Sequence, residues 1–375
     1  MQLTDIPTPA LVLDELRMQR NIDRMQTRLT RLGVAFRPHL KTAKSMPVAR
    51  RMLGPELGPA TVSTLREAEA FFLAGVRDIL YAVGIAPRKL ERVAALRASG
   101  CRLTVILDHV DTARAVSAFC AARGLGMPVL LEIDTDGHRS GLAPESTALL
   151  DVAAALTDGA ELRGVMTHAG SSYACRSASE LVACAERERA GTVRAAERLR
   201  DAGHTVPVVS VGSTPTATFA ERLEGVTEVR AGVYVFQDLV MAGLGVCAID
   251  DIAISVLATV IGHRADTGWL ITDAGWMALS RDRGTASQAS DQGYGVVCDV
   301  EGRAIDGLQM SGANQEHGII SRVDGAPMTW TQYPVGSLLR ILPNHACATA
   351  AQHGEYAVVR GSQDVTAHWE RFNGW

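Results

Sequence analysis

The sequence lacks paired cysteine chemistry. It carries seven cysteines, an odd number, and no two of them stand in a CxxC pair. A disulfide framework is therefore not expected, and this usage suits a reducing compartment, so we predict a cytoplasmic protein. The N-terminal stretch "MQLTDIPTPALVLDEL" also lacks the basic flank and apolar core of a signal peptide.

Long hydrophobic runs and a strong charge of one sign are also missing. No stretch of about 18 apolar residues occurs without a charge, so we predict no membrane span. The net charge of −4 gives no reason to expect nucleic acid or an anionic membrane as a partner. Aromatic residues make up only 5%, whereas 35 glycines favour an α/β protein with many tight turns.

The first two thirds of the chain contain eight short β-rich runs, most of them separated by segments with helical spacing. No GxGxxG follows the first run, which argues against a dinucleotide-binding sheet. The runs are "VAFRPHLK" (34–41), "TVST" (61–64), "ILYAV" (79–83), "LTVILD" (103–108), "PVLLEID" (128–134), "LRGVMTH" (162–168), "PVVSVGS" (207–213) and "TEVRAGVYVF" (227–236).

Eight strands alternating with helices predict either a (β/α)8 barrel or a large open doubly wound sheet, and the count of eight favours the barrel. We place the barrel at residues 12–248. After about residue 250, strands such as "IAISVLATVIG" and "SLLRILP" follow one another with little helix. This texture predicts a β domain at residues 249–375, with residues 1–11 packed on it.

Polar residues stand at the ends of the predicted barrel strands, where a (β/α)8 barrel carries its reactive groups. Gly212, Ser213 and Thr214 begin a helix after the seventh strand, and helix N-termini suit anions such as phosphate. The other strand-end residues are Lys41, His138, Arg139, His168, Tyr173, Gly232 and Tyr234.

A lysine after one strand and a phosphate cradle on the opposite wall suggest pyridoxal phosphate, which needs an amine for its Schiff base. Lys41 can supply that amine, and Arg139 can bind the phenolate oxygen. For the ring nitrogen, Tyr173 and Arg230 both remain candidates. His168 can stack on the ring or orient it.

A second constellation lies in "LPNHACATAAQHG" (342–354). His345 and Cys347 are two residues apart, so in a strand their side chains would face the same way. An imidazole and a thiolate suit zinc, although a buried cysteine beside an ordinary histidine gives the same pattern. His353 is near in sequence, and Gln315, Glu316 and His317 form a polar cluster that suits either an outer shell or a plain loop.

The chain resembles a known family in a set of motifs that run in order along nearly its whole length. That family is the D-serine dehydratase and D-threonine aldolase group of pyridoxal-phosphate enzymes, which have the alanine racemase fold type. The stretches "WMALSRDRGTA" and "GANQEHGI" favour the members that act on threo-3-hydroxy-D-aspartate. The motifs that carry the resemblance are "IPTPALVLDELRMQRNIDRM", "RPHLKTAKS", "EIDTDGHRSG", "THAGSSY", "VGSTPTA", "EVRAGVYVF" and "PNHACAT".

The resemblance implies Lys41 as the Schiff-base lysine, His345 and Cys347 as metal ligands, and a homodimer. It places the phosphate at Gly212, Ser213 and Thr214, with Gly232 and Tyr234 adding contacts. The family's aldolases tend to carry an aspartate at the position of Cys347, so the cysteine favours a dehydratase. A thiolate also selects zinc, whereas a carboxylate tolerates manganese or magnesium better.

The resemblance therefore predicts a lyase that eliminates water from a D-3-hydroxy amino acid, after which hydrolysis of the product gives a 2-oxo acid and ammonia. Threo-3-hydroxy-D-aspartate would give oxaloacetate, and D-serine would give pyruvate. Arg281 and Arg283 are candidates for the second carboxylate of the substrate, and Gln315 and His317 are further candidate contacts. The alternative is a metal-dependent D-threonine or 3-hydroxy-D-aspartate aldolase, which would release glycine and an aldehyde.

Overall fold

The structure, a computed structural model, describes residues 1–375. It divides into two compact units. One comprises Met25–Gly232 with Gly374–Trp375, and the other comprises Met1–Arg24 with Val233–Asn373. We refer to them as the barrel unit and the β unit.

The chain begins with strand β1 (Ala10–Asp14) and helix α1 (Glu15–Arg31), and the boundary between the two units falls within α1. Asp14 Oδ1 accepts hydrogen bonds from the backbone N–H groups of Leu16 (3.0 Å) and Arg17 (3.1 Å), which satisfies two donors at the helix start. The spacing of its apolar residues gives α1 one buried face, formed by Met18, Ile22, Met25 and Leu29.

The barrel unit contains eight parallel strands in the order β2-β9-β8-β7-β6-β5-β4-β3. The strands are β2 (Ala35–Phe36), β3 (Ala60–Val62), β4 (Asp78–Gly84), β5 (Arg102–Leu107), β6 (Met127–Ile133), β7 (Ala160–Thr167), β8 (Val208–Val211) and β9 (Glu228–Val229). The helices are α2 (Met46–Leu53), α3 (Leu65–Leu73), α4 (Leu90–Ala98), α5 (Val110–Arg123), α6 (Ala148–Ala154), α7 (Ala178–Asp201) and α8 (Thr214–Phe219).

A bridge between His39 and Thr61 joins the two outermost strands of this sheet and closes it. Leu40 N–H donates to Thr61 O at 2.9 Å, and Thr61 N–H donates to Pro38 O at 2.8 Å. An open doubly wound sheet would leave these two edges unpaired, so the predicted (β/α)8 barrel is confirmed.

Apolar side chains from neighbouring strands pack together in the barrel unit. Leu80, Ile106, Leu130 and Met166, from β4 to β7, form one buried cluster. Adjacent strands contribute residues at matching heights, since Ile106 pairs with Leu130 in the β5–β6 register. This layered packing is typical of (β/α)8 barrels.

The β unit contains a closed ring of six antiparallel strands in the order β10-β11-β14-β13-β12-β15, in which β15 pairs with β10. Strand β1 pairs with β10 and β16, and β17 extends the sheet beyond β16. The strands are β10 (Ile254–Arg264), β11 (Trp269–Thr272), β12 (Val296–Cys298), β13 (Ala304–Ala313), β14 (Gly318–Arg322), β15 (Leu338–Leu342), β16 (Glu355–Val359) and β17 (Ala367–Glu370).

Three short helices complete the β unit: α9 (Leu239–Gly243), α10 (Trp276–Leu279) and α11 (Ala346–Ala350). Among all the helices of the molecule, none combines the length and the apolar character needed to cross a membrane.

Two local predictions were wrong. The run 227–236 is not one strand, because β9 ends at Val229 and Tyr234 lies in a 3-10 helix at Val233–Val235. Ala231 O still accepts a hydrogen bond from His39 N–H at 2.8 Å, so backbone pairing with the segment after β2 continues just beyond β9. His345 and Cys347 do not lie in a strand either, since His345 precedes the first residue of α11 and Cys347 is in its first turn.

Gly164 on β7 tests the packing of the barrel. A β-carbon there would lie 2.0 Å from Val208 O on the paired strand β8, and its φ of +155° is unfavourable for other residues. Gly164→Ala should therefore lower the free energy of unfolding by about 3 kcal/mol in urea titrations. Gly84→Ala is the control, because no atom lies within 4 Å of a β-carbon there. Equal effects of the two changes would contradict this packing.

Candidate functional site

Lys41 lies two residues beyond the bridge that closes the barrel, and its side chain is exposed. Its backbone N–H donates to His39 Nδ1 at 3.4 Å. The second lysine of the motif, Lys44, is half-buried and its Nζ lies 3.3 Å from Glu67 Oε1. Lys41 is therefore the lysine of this motif whose amine is available to a ligand.

Four further basic groups surround Lys41 at this end of the barrel. The pKa of His39 lies well below its ordinary value, because its burial and the positive charges of Lys41, Arg230 and Arg139 disfavour a further charge. His168 belongs to the same electrostatic group. The accumulated positive charge suits an anionic ligand.

The imidazole of His168 is held in one tautomer by a backbone carbonyl. Its Nδ1 lies 3.2 Å from Gly212 O, and since a carbonyl only accepts, Nδ1 carries the proton and Nε2 does not. Burial lowers the pKa of His168 to about 3, and Lys41 and Arg139 act in the same direction. The ring of Tyr173 lies 6.3 Å from that of His168, centroid to centroid, and is tilted by 46°.

Arg230 and Arg139 differ in their environments. Arg230 is 3% exposed, and it donates from Nε to Ser210 Oγ at 2.8 Å and from Nη2 to Thr167 O. Burial lowers the pKa of Arg230 to about 10, although neighbouring glutamates oppose the shift. Arg139 is exposed in the loop after β6, with Nη2 3.9 Å from Glu132 Oε1. Arg230 is therefore fixed inside the barrel, whereas Arg139 can reach a ligand from the rim.

The turn at Gly212–Thr214 was predicted to offer its backbone N–H groups to a phosphate, but the structure shows one of them bound within the protein. Gly212 has a φ of +129°, and a β-carbon there would lie 2.2 Å from Arg230 O. Its N–H donates to Glu188 Oε1 at 3.0 Å, so this donor is already bound. Glycine is needed here for the close backbone approach.

Ser213 and Thr214 begin helix α8. The N–H of Ser213 donates to Thr216 Oγ1 at 3.0 Å, and its hydroxyl accepts from Thr216 N–H at 3.2 Å. The Ser213 Oγ also lies 3.0 Å from Ser172 Oγ, on the segment that carries Tyr173. Ser213 is thus a helix cap, the ordinary role of a serine at this position.

Gly232 packs directly against the segment that carries Lys41. A β-carbon at this position would lie 3.2 Å from His39 Cβ, His39 O and Thr42 Oγ1. A larger residue would push this segment away, so the smallest side chain helps to fix Lys41.

These residues fit pyridoxal 5′-phosphate. An exposed primary amine, Lys41, lies within a group of positive charges formed with Arg139 and Arg230, and this combination suits an aldehyde that carries a phosphate. The neutral His168 adds an imidazole whose Nε2 can accept a hydrogen bond. The structure brings these four predicted residues together and sets Tyr173 beside His168.

In the β unit, His345 is held by a carboxylate. Its Nδ1 lies 2.6 Å from Asp282 Oδ2. Burial alone would lower the pKa of His345, but hydrogen bonds with Asp282 and Cys347 and the charge of Asp238 raise it to about 11. His345 and Cys347 are therefore in contact even though they lie at a helix start.

Two buried side chains fix the backbone around His345. Asp238 accepts from Met241 N–H with Oδ1 and from Ala346 N–H with Oδ2, both at 2.9 Å. Asn344 Nδ2 donates to Gly293 O at 2.7 Å. The segment that carries the two predicted ligands is thus rigidly held.

His345 and Cys347 fit a divalent metal ion. The carboxylate of Asp282 occupies Nδ1 and leaves Nε2 for a metal, which is the usual arrangement around a ligating histidine. No group of three or more His, Cys, Asp or Glu side chains with metal-binding geometry occurs. His353 lies outside this pair, since its Nε2 is 3.0 Å from Ala278 O.

Arg281 and Arg283 stand on either side of Asp282, which contacts His345. The guanidinium of Arg281 lies 4.8 Å from the centroid of the Trp276 ring, and Arg283 Nη2 lies 2.8 Å from Asp291 Oδ2. Gln315 and His317 are exposed at the turn between β13 and β14. Tyr234 is fully buried, which raises the pKa of its hydroxyl.

Family models match most of the chain. The model described as "Alanine racemase, N-terminal domain" matches residues 13–239. A second, described as "Putative serine dehydratase domain", matches residues 253–359. The chain belongs to this family. The family resemblance predicted from the motifs is confirmed.

Relatives of this family match the chain from end to end. The chain is 57% identical to a D-threo-3-hydroxyaspartate dehydratase of Delftia sp. (strain HT23), over 100% of this chain and 99% of the relative. It is 30% identical to a D-serine dehydratase of Dictyostelium discoideum, over 100% and 98% of the two chains.

Solved structures of the family superpose closely. The Delftia sp. HT23 dehydratase covers 100% of both chains with a TM-score of 0.97. A cysteine-to-alanine mutant of a D-threo-3-hydroxyaspartate dehydratase, in the metal-free form, has 56% identity, the same coverage and the same TM-score. A D-threonine aldolase from Filomicrobium marinum, 28% identical, covers 99% of this chain and 96% of its own, with a TM-score of 0.82.

The low pKa of His168 has a measurable consequence. An unfolded histidine titrates near ~6.5, whereas folded His168 titrates at about 3, so only the unfolded chain takes up this proton between those values. Stability should therefore fall as the pH drops through this window, by up to ~1.4 kcal/mol per pH unit. His168→Gln should remove that part of the slope in urea unfolding between about pH 4.5 and 7.

His39 titrates below its ordinary value as well, but it is present in both proteins and cancels in the comparison. An unchanged pH slope in His168→Gln would contradict a neutral, buried His168.

Proposed function

We propose that this protein is a pyridoxal-phosphate- and metal-dependent dehydratase of D-3-hydroxy amino acids. Its main substrate is threo-3-hydroxy-D-aspartate, which gives oxaloacetate and ammonia, and D-serine gives pyruvate and ammonia. The observation that carries the proposal is the exposed amine of Lys41 within a group of buried and rim cations. The 57% identity to a D-threo-3-hydroxyaspartate dehydratase over the full chain supports the substrate.

Lys41 would hold the cofactor through its Nζ, and the same Nζ would take the α-proton of the substrate. When bound, pyridoxal 5′-phosphate supplies an aldehyde for the amino group and an electron sink for the α-carbon. Arg139, exposed in the loop after β6, would bind the phenolate oxygen of the cofactor. His168 stays neutral and orients the ring, because its pKa of about 3 prevents it from acting as an acid near neutral pH.

We propose two alternative partners, Arg230 and Tyr173, for the ring nitrogen of the cofactor. Arg230 is supported by its fixed position inside the barrel, where Ser210 and Thr167 hold two of its nitrogens. Tyr173 is supported by its position beside His168. On the phosphate side we propose Gly212, Ser213, Thr214, Gly232 and Tyr234, with Gly212 contributing space because its N–H is bound to Glu188.

We propose that His345 and Cys347 bind zinc, with manganese or another divalent ion as an alternative. A thiolate and an imidazole favour zinc, and Asp282 orients the imidazole. A bound zinc ion supplies a Lewis acid for the leaving β-hydroxyl. The metal-free form of the cysteine mutant of a relative supports a metal in this family. The homodimer and the cytoplasmic location remain predictions.

Product analysis tests the proposed reaction. With pyridoxal phosphate and zinc added, the protein should turn threo-3-hydroxy-D-aspartate into oxaloacetate and ammonia. Lys41→Ala should lose the absorbance of the bound cofactor and at least about 10³-fold of the activity, because it removes the nucleophilic amine and the base together. Lys89→Ala is the control, since Lys89 Nζ donates to Tyr81 OH on another part of the barrel.

Glycine and an aldehyde as products would instead identify the aldolase. Full activity in Lys41→Ala would contradict every version of this mechanism.

The second carboxylate of hydroxyaspartate gives a test of specificity. Arg283 is already paired with Asp291, whereas Arg281 makes no ion pair and stacks on Trp276, so Arg281 is the better candidate. Arg281→Ala should lower kcat/KM for hydroxyaspartate about 10- to 100-fold and leave D-serine nearly unchanged. Arg283→Ala is the matched comparison. Equal losses on both substrates, or none, would remove this role.

A further inference from the structure

Helix α7 places one carboxylate inside the barrel unit, next to the turns that carry the candidate site. Glu188 is 2% exposed. Its Oε1 accepts two backbone hydrogen bonds, from Ala169 N–H and from Gly212 N–H, both at 3.0 Å. These two donors belong to the loops after β7 and β8, so one oxygen atom joins two loops that are far apart in sequence.

In both loops, the residue next to the N–H donor belongs to the candidate site. His168 precedes Ala169, and Ser213 follows Gly212. The Gly212 peptide is held on both sides, because its N–H donates to Glu188 and its carbonyl accepts from His168 Nδ1 at 3.2 Å. Glu188, Gly212 and the His168–Ala169 segment are thus hydrogen-bonded to one another in a ring, which sets both the position of the turn and the tautomer of His168.

Burying a carboxylate costs free energy unless hydrogen bonds compensate for its lost hydration. An apolar side chain at position 188 would leave the N–H groups of Ala169 and Gly212 without their acceptor. The charged and polar groups that face Glu188 are Arg230 and the hydroxyl of Thr216. The hydrogen bonds of the Glu188 side chain therefore stabilise the loops after β7 and β8 more than they stabilise helix α7.

We propose that Glu188 is a positioning residue, which holds the His168 turn and the Gly212–Thr214 turn in the arrangement that binds pyridoxal phosphate. This inference rests on the proposed function. Glu188 acts through the backbone of Gly212 and the ring of His168.

The test compares three variants in the full-length protein. Glu188→Ala removes the acceptor, and Glu188→Gln keeps a neutral oxygen that can accept both N–H groups. Glu186→Gln is the matched control, because Glu186 lies on the same helix but pairs at the surface with Arg189 (2.7 Å) and Arg222 (2.6 Å).

The first readout is the dissociation constant of pyridoxal phosphate, measured by absorbance titration of the cofactor-free protein. We expect it to rise about 10-fold or more in Glu188→Ala and less than about threefold in Glu188→Gln, with no change in Glu186→Gln. The second readout is independent of the cofactor. The backbone N–H groups of Ala169 and Gly212 should exchange with deuterium faster in Glu188→Ala, while those of the β unit stay unchanged.

Unaltered cofactor affinity in a folded but less stable Glu188→Ala would show a merely structural role and overturn the proposal. If Glu188→Ala does not fold, Glu188→Asp replaces it, because its shorter side chain cannot reach both donors, and the same two readouts apply. If the wild-type protein fails to bind pyridoxal phosphate, the proposed function fails. Faster exchange in Glu188→Ala would then identify the contact as a structural one.

Discussion

The end of the barrel that carries Lys41 depends on the backbone hydrogen bonds that residues 38–40 make with the segments on either side of them in the sheet. Strand β2 has only two residues, yet the segment after it is bonded to Thr61 on one side and to Ala231 on the other. These bonds close the sheet, and they fix the residue that follows. Lys41 is therefore presented at the rim by backbone hydrogen bonds, so its position does not depend on its own side-chain contacts.

The electrostatics of the barrel end follow from the same geometry. Burial lowers the pKa of both His39 and His168, and the cations that converge on this end from several segments act in the same direction, so both imidazoles are neutral near neutral pH. The carboxylates of Glu132 and Glu188, which act on Arg230, are buried, and desolvation raises the pKa of each. The exposed cations are Lys41 and Arg139, whereas both carboxylates are buried, so the exposed side of this end suits an anion.

The sequence was sufficient to locate all eight barrel strands and the lysine at the rim, because short β-rich runs and strand-end residues are local signals. Contacts between distant segments could not be found in this way. Asp282 binds His345 across 63 residues, and Glu188 is one acid among many charges on a long helix. His345 and Cys347 are in contact, but the strand predicted for them was wrong, because Asp238, which accepts from Ala346 N–H at the start of α11, comes from another segment.

The position of β1 has a consequence for how the chain is made. It lies between β10 and β16, so both of its partners come from residues beyond 253. As the ribosome releases the chain, residues 25–232 emerge complete and can fold, whereas the earliest strand waits for almost the last. Strand β1 is thus an interior strand of its sheet, and its removal would leave β10 and β16 without their shared partner.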